Sequence, residues 1–144
     1  MEDQFRHVID NIPSGLIAPS PIHNNGLFAA RAIAKGEILG VLDGQVMNWD
    51  AYDQLVAHLD ETHERAAELF LEWNCLSPDT LLVRPLRTKY SFINHSRVPN
   101  LELVPFPLRI VAKKEISAGE EFVLDYRKEP LRQEYLENHG RTYL

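Results

Sequence analysis

The sequence predicts a mainly β domain with short helices, and three observations carry that expectation. The N-terminal third, "SGLIAPSPIHNNGLFAARAIAKGEILGVLDGQVM", sets short apolar runs between Gly, Pro and Asn. One stretch, "NWDAYDQLVAHLDETHERAAELF", instead has apolar residues at helical spacing. Beyond it the chain returns to short apolar runs separated by turn residues. A chain of 144 residues has room for one sizeable core, so residues 1–144 are read as a single domain without repeats or linkers.

Taken in order, Asn24, Asn25 and Gly26 mark a first turn, and Lys35, Gly36 and Glu37 a second. Trp49, Tyr52, Leu55, Val56, Leu59, Ala66, Leu69 and Phe70 then define an inserted helical region over about 49–68, with Asn48 or Asp50 as its cap. "FLEWNCLSPDTLLVRPL" reads as a hairpin turning at Ser77, Pro78 and Asp79. "LRIVAKKEISAGEEFVLDY" supplies two more strands around a turn at Ser117, Ala118 and Gly119. Pro130 near a start and Gly140 past an end predict a C-terminal helical segment over about 129–144.

Composition excludes several classes of function. Cys75 is the single cysteine, so the chain has neither an internal disulfide nor a cysteine-built zinc site, and no metal is expected. A net charge of −6 argues against direct, nonspecific nucleic-acid binding and fits a basic protein partner better. No run is long and apolar enough to span a membrane. "MEDQFRHVID" has acids where a secretory signal would have a basic region and an apolar run, so a cytoplasmic location is expected.

"SFINHSRVPN", residues 91–100, follows the apolar pair Phe92–Ile93 with Asn94, His95 and Ser96. Such a trio is costly to bury unless its donors and acceptors find partners. It either caps a surface turn or grips a ligand. Its order and spacing relative to "NNGLFA" upstream and "GEEFVLDY" downstream resemble the SET-domain protein lysine methyltransferases, over about residues 13–127. Relatives show "GxGL/VxA", "RFINHSCxPN" and "GEELxxDY" at these places.

That resemblance implies a SET-domain fold of the β-clip type: several small sheets, with a C-terminal segment threaded in a knot-like arrangement. It also implies S-adenosylmethionine (SAM) as methyl donor and a lysine of a protein or peptide as acceptor. Carried over residue by residue, Asn94 and His95 contact the cofactor and the backbone around Gly26, Leu27 and Phe28 lines its pocket, while Ser96, Pro99 and Asn100 fix the loop. Tyr126, at the end of "DY", is the implied catalytic tyrosine. Tyr90 and Leu42 are candidates for the lysine channel; Phe92 belongs there or in the core.

The chain departs from the family pattern at four points. Arg97 replaces the usual Cys after "NHS", and no Cys-rich segment follows Tyr126, so one wall of the lysine channel must be closed without zinc. Tyr135 or Tyr143 of the C-terminal segment is the candidate closure, and a homodimer is another. Leu42 stands where many relatives have a tyrosine, and Asn24 where they have a first Gly. Nor is a separate substrate-reading domain expected from these residues. These departures motivate an alternative function, a SET-fold protein-binding module without catalysis.

Other polar residues have plain structural readings. His58 and His63, five apart on a helix, point to different faces, and a small metal-dependent hydrolase built on His95 lacks partner ligands at usable spacing. "NHS" matches a glycosylation acceptor that has no meaning without secretion. Glu120 and Glu121 are read as turn chemistry with a local hydrogen bond.

Overall fold

The computed structural model describes residues 7–62, 71–105 and 107–130. Strands β1 (Gly15–Pro19) and β2 (Asn25–Ala29) pair antiparallel, Gly15 opposite Ala29 and Pro19 opposite Asn25. The connecting loop is closed by Ser20 N–H donating to Asn24 O at 2.9 Å. Asn24 takes φ 35°, the left-handed conformation Asn tolerates better than most residues. The first turn is therefore made by Asn24 alone among the three residues expected in it, and Asn25 and Gly26 already belong to β2. Gly36, at φ 85°, makes the second turn as expected and leads into β3 (Ile38–Val41).

Strand β4 (Gln45–Asn48) runs directly into α1 (Trp49–Thr62). Asn48 Oδ1 accepts from Ala51 N–H at 2.8 Å, so Asn48 and not Asp50 is the helix cap. Trp49, Tyr52, Leu55, Val56 and Leu59 are the half-buried positions of α1, and its other positions are exposed, as the periodicity predicts. Residues 63–68 of the expected helical region lie outside the described residues. The hairpin of β5 (Glu72–Ser77) and β6 (Thr80–Arg84) forms where expected, and β4 joins it in the order β4-β6-β5. Trp49, edge-on to Trp73 at 5.3 Å between ring centroids, docks the start of α1 beside Cys75, Leu81 and Val83.

A 3-10 turn at Lys89–Phe92 delivers β7 (Asn94–His95), followed by β8 (Leu101–Val104), β9 (Arg109–Ala112) and β10 (Val123–Leu124). The two strands expected around the Ser117–Gly119 turn both form, with Gly119 at φ 86°, but they enter different sheets. Strand β9 lies between β3 and β8, whereas β10 pairs in parallel with β7, Val123 opposite Asn94 and Leu124 opposite His95. Their side chains face one continuous core in which Ile12, Leu27, Ile93, Leu101, Ile110, Ile116 and Phe122 are shielded from solvent. Phe92 joins them in that core.

Candidate active site

The Asn-His pair forms the short strand β7, which pairs with β10 while the Asn94 side chain reaches the β1–β2 loop. On one side stands the β1–β2 loop, on the other the chain entering β10. The Asn94 amide nitrogen lies 2.9 Å from Glu121 Oε2, 3.2 Å from Ser20 Oγ and 3.2 Å from Asn25 O. All three can accept, which orients the amide with its nitrogen toward the protein. Oδ1 of Asn94 makes no hydrogen bond within the described residues and is left as an acceptor.

Glu121 joins these elements. Ser20 Oγ lies 2.8 and 2.9 Å from its two carboxylate oxygens, so one carboxylate ties residues 20, 94 and 121 together. Gly26 makes room for it: a Cβ at position 26 would stand 2.3 Å from Glu121 Oε2. Glu120 behaves as the local reading requires, its Oε1 accepting from Ser117 N–H at 3.2 Å, but Glu121 makes long-range contacts that strand alternation could not reveal. Gly26→Ala and Glu121→Ala should each cost about 1–3 kcal/mol, because each breaks the same contacts. The double variant should cost no more than the worse single one. Equilibrium urea denaturation of the four proteins reads this directly, and full additivity would show that Gly26 serves something other than Glu121.

His95 is held differently. Its Nδ1 accepts from Tyr126 N–H at 3.0 Å, which leaves the proton of the neutral ring on Nε2. The Tyr126 ring lies 5.1 Å from the imidazole, and its hydroxyl donates to Ile93 O. Asp125, between β10 and Tyr126, accepts from Arg127 Nη2 at 2.7 Å and from Arg127 Nε at 2.9 Å. The Arg127 guanidinium holds its carboxyl down at about 2, so Asp125 stays ionised. Ser96 and Asn100 hold the loop as expected: Ser96 Oγ accepts from Val98 N–H at 3.1 Å, and Asn100 Nδ2 donates to Glu121 O at 2.8 Å.

Tyr126 also lines a cavity of about 420 Å³. Its apolar walls are Leu76, Leu101, Leu103, Leu108 and Leu124, and Tyr90, Tyr126 and Glu129 bring polar groups to it. Beneath Tyr90 runs a buried network. Arg84, over the Tyr90 ring at 5.6 Å, pairs with Glu72 and donates to Asn74 Oδ1 at 2.8 Å; Asn74 Nδ2 in turn donates to Glu129 Oε1 at 3.1 Å. Burial pushes the Tyr90 phenol well above its ordinary range, with Glu129 and Tyr126 adding to the shift, so Tyr90 is neutral. Burial also raises the Glu129 carboxyl to about 7.

Of the other expected site residues, Gly26 and Phe28 lie on β2 beside Glu121, Phe28 bridging to it. Leu27 is fully buried in the core, and its carbonyl accepts from Phe122 N–H at 2.7 Å. Leu42 is also a core residue, only 3% exposed, and does not line the cavity. Phe92 is core, whereas Tyr90 is on the cavity wall and Pro99 is too. Tyr135 and Tyr143, with most of the C-terminal segment, lie outside the described residues. Among the described residues, no three His, Cys, Asp or Glu side chains are grouped to hold a metal, and no helix is long and apolar enough to cross a membrane.

The sequence does not single out Glu72, Asn74, Arg84 and Glu129, and it marks Glu121 only as turn chemistry with a local hydrogen bond. One signal was available, since Glu72 and Asn74 are polar at alternate positions of a strand whose partner "LLV" is continuously apolar.

Comparison with known proteins places these features in a family. The family model for the SET domain matches residues 24–127, which include Asn24, the Asn94–His95 pair and Tyr126. The chain belongs to the SET-domain family. It is also 30% identical over 121 residues to Histone-lysine N-methyltransferase CLF of Oryza sativa subsp. japonica. That alignment covers 80% of this chain but 13% of the relative, so this SET domain spans about an eighth of the larger protein. The small sheets and the β7–β10 pairing agree with the fold that the sequence motifs imply.

Proposed function

We propose that this SET domain transfers a methyl group from SAM to a lysine side chain of a protein, most readily one in a basic segment. One observation carries this reading. Tyr126 is shared between the Asn94–His95 site and the leucine-lined cavity, so a cofactor on one side and an amine on the other would meet at one side chain.

The residues present fit the cofactor. Asn94 Oδ1 is an acceptor suited to an ammonium such as that of the SAM amino-acid moiety, and Glu121 keeps the amide nitrogen turned away from it. His95 stands next to it on β7, its ring held by Tyr126 N–H. Bound there, SAM supplies an electrophilic methyl on a positively charged sulfur. What the protein must supply is alignment and a neutral amine. A free lysine has pKa about 10.4, and lowering it to about 8 costs roughly 3.3 kcal/mol at 1.36 kcal/mol per unit. The leucine walls and the neutral Tyr90 contribute by desolvating the ammonium.

Calorimetric titration of the purified chain with SAM tests the reading. Saturable binding is expected, weakened about tenfold or more by Asn94→Ala or His95→Ala in protein that keeps its fold. A folded protein that binds no SAM, alone or with lysine-containing basic peptides, would instead support the binding module without catalysis.

A further inference from the structure

Every atom within hydrogen-bond reach of the Asn94 amide nitrogen is an acceptor. Glu121 Oε2 lies at 2.9 Å, Ser20 Oγ and Asn25 O at 3.2 Å and His23 O at 3.4 Å. The hydroxyl of Ser20 has one proton, which goes to Glu121, whose two oxygens lie 2.8 and 2.9 Å away; the same Oγ accepts from Ile22 N–H at 3.0 Å. An amide turned the other way would set Oδ1 among these acceptors with no proton between them. The carboxylate that enforces this is itself fixed. Asn100 Nδ2 donates to Glu121 O at 2.8 Å, Phe28 bridges to the Glu121 backbone, and Gly26 leaves the space that the side chain fills.

We propose that Glu121 is the positioning residue through which this domain reads the amino group of its methyl donor. The proposal rests on the methyl-transfer reading, since it takes SAM as the ligand at Asn94. With the amide nitrogen held by the β1–β2 loop and Glu121, Oδ1 is the polar atom of this side chain left for a ligand. An acceptor held there favours an ammonium over a ligand that has no proton to give. Without Glu121 the amide can present either end, and the preference fades. Glu121 touches no reacting atom; its effect passes through Asn94.

Calorimetric titration of the whole chain tests this with two ligands. One is S-adenosylhomocysteine, and the other is its analogue with hydrogen in place of the α-amino group. Wild-type protein should bind the first about tenfold or more tighter. Glu121→Ala should reduce that ratio to about twofold or less. Glu121→Gln keeps the side-chain shape but can turn either oxygen or nitrogen toward Asn94, so the ratio should fall by about threefold. In an Asn94→Ala background, adding Glu121→Gln should change the ratio no further.

A merely structural role would weaken both ligands alike, and an unchanged ratio in Glu121→Gln would overturn the proposal. So would a further fall in the Asn94→Ala background, which would make Glu121 act by its own charge. If Glu121→Ala does not fold, the glutamine variants decide. Wild-type protein that binds both ligands equally would overturn this proposal and leave a methyl-donor site standing. Wild-type protein that binds neither would remove the methyltransferase reading, and this proposal with it.

Discussion

Tyr126→Phe should lower methyl-transfer turnover by about a hundredfold, equivalent to about 2.7 kcal/mol of transition-state stabilisation. The substitution keeps the aromatic ring beside His95 and on the cavity wall, and keeps the backbone N–H that donates to His95 Nδ1. It removes only the hydroxyl that is bonded to Ile93 O, at the chain position immediately before Asn94. The hydrogen bond itself contributes about 1 kcal/mol to stability. Two readouts therefore separate its roles. Turnover measured with labelled SAM should collapse, while SAM affinity should stay within about twofold of the wild type. Turnover equal to the wild type would remove the hydroxyl from the reacting centre, and equal losses in turnover and affinity would make Tyr126 a support for His95.

The second large effect is on stability. Arg84→Met should destabilise the fold by about 3–5 kcal/mol, because it strands a buried carboxylate. Arg84 and Glu72 are 4% and 5% exposed, and without Arg84 the Glu72 charge would be held only by Thr88, through N–H at 2.9 Å and Oγ1 at 2.7 Å. Asn74, fully buried, would lose the Arg84 donor to its Oδ1 and with it the brace that holds its Nδ2 toward Glu129. Chemical denaturation reads the loss, and a fall in melting temperature of roughly 10 °C is expected for a domain of this size. Adding Glu72→Gln should recover part of the loss, since removing both charges leaves no unpaired ion. If the double variant is as unstable as the sum of the two single ones, the stability comes from packing around Arg84 rather than from its pairing with Glu72.

Local chemistry made much of this molecule readable in advance. The turns at Gly36 and Gly119, the hairpin around Ser77 to Asp79 and the half-buried stripe of α1 follow from rules that act within a few residues. The motif residues lie together in the way the family resemblance implies: Asn94 and His95 on β7, Tyr126 against His95, and Gly26 one contact away from Asn94 through Glu121. The readings that needed structural detail fell at residues with neighbours far along the chain. Leu27 and Leu42 are apolar residues in motif or near-motif positions, and only packing shows them to be core. Glu121 follows Glu120 in sequence, yet the first bonds 101 residues away while the second bonds within its turn.

By itself the sequence determined the strand-rich class, the turns, the inserted helix, and the trio of motifs that mark a SET domain. Each of these depends on side-chain period, on backbone preference at single residues, or on a pattern of residue types along the chain. Only the tertiary structure decided that Tyr126 stands between the Asn-His site and a leucine-lined cavity, that one carboxylate at Glu121 holds three segments together, and that Glu129 lines that cavity and accepts from Asn74 of the hairpin. The reason is electrostatic as well as geometric. A carboxylate on the surface and one in a cavity are the same letter, and its charge state and partners are set by which distant strands exclude water from it.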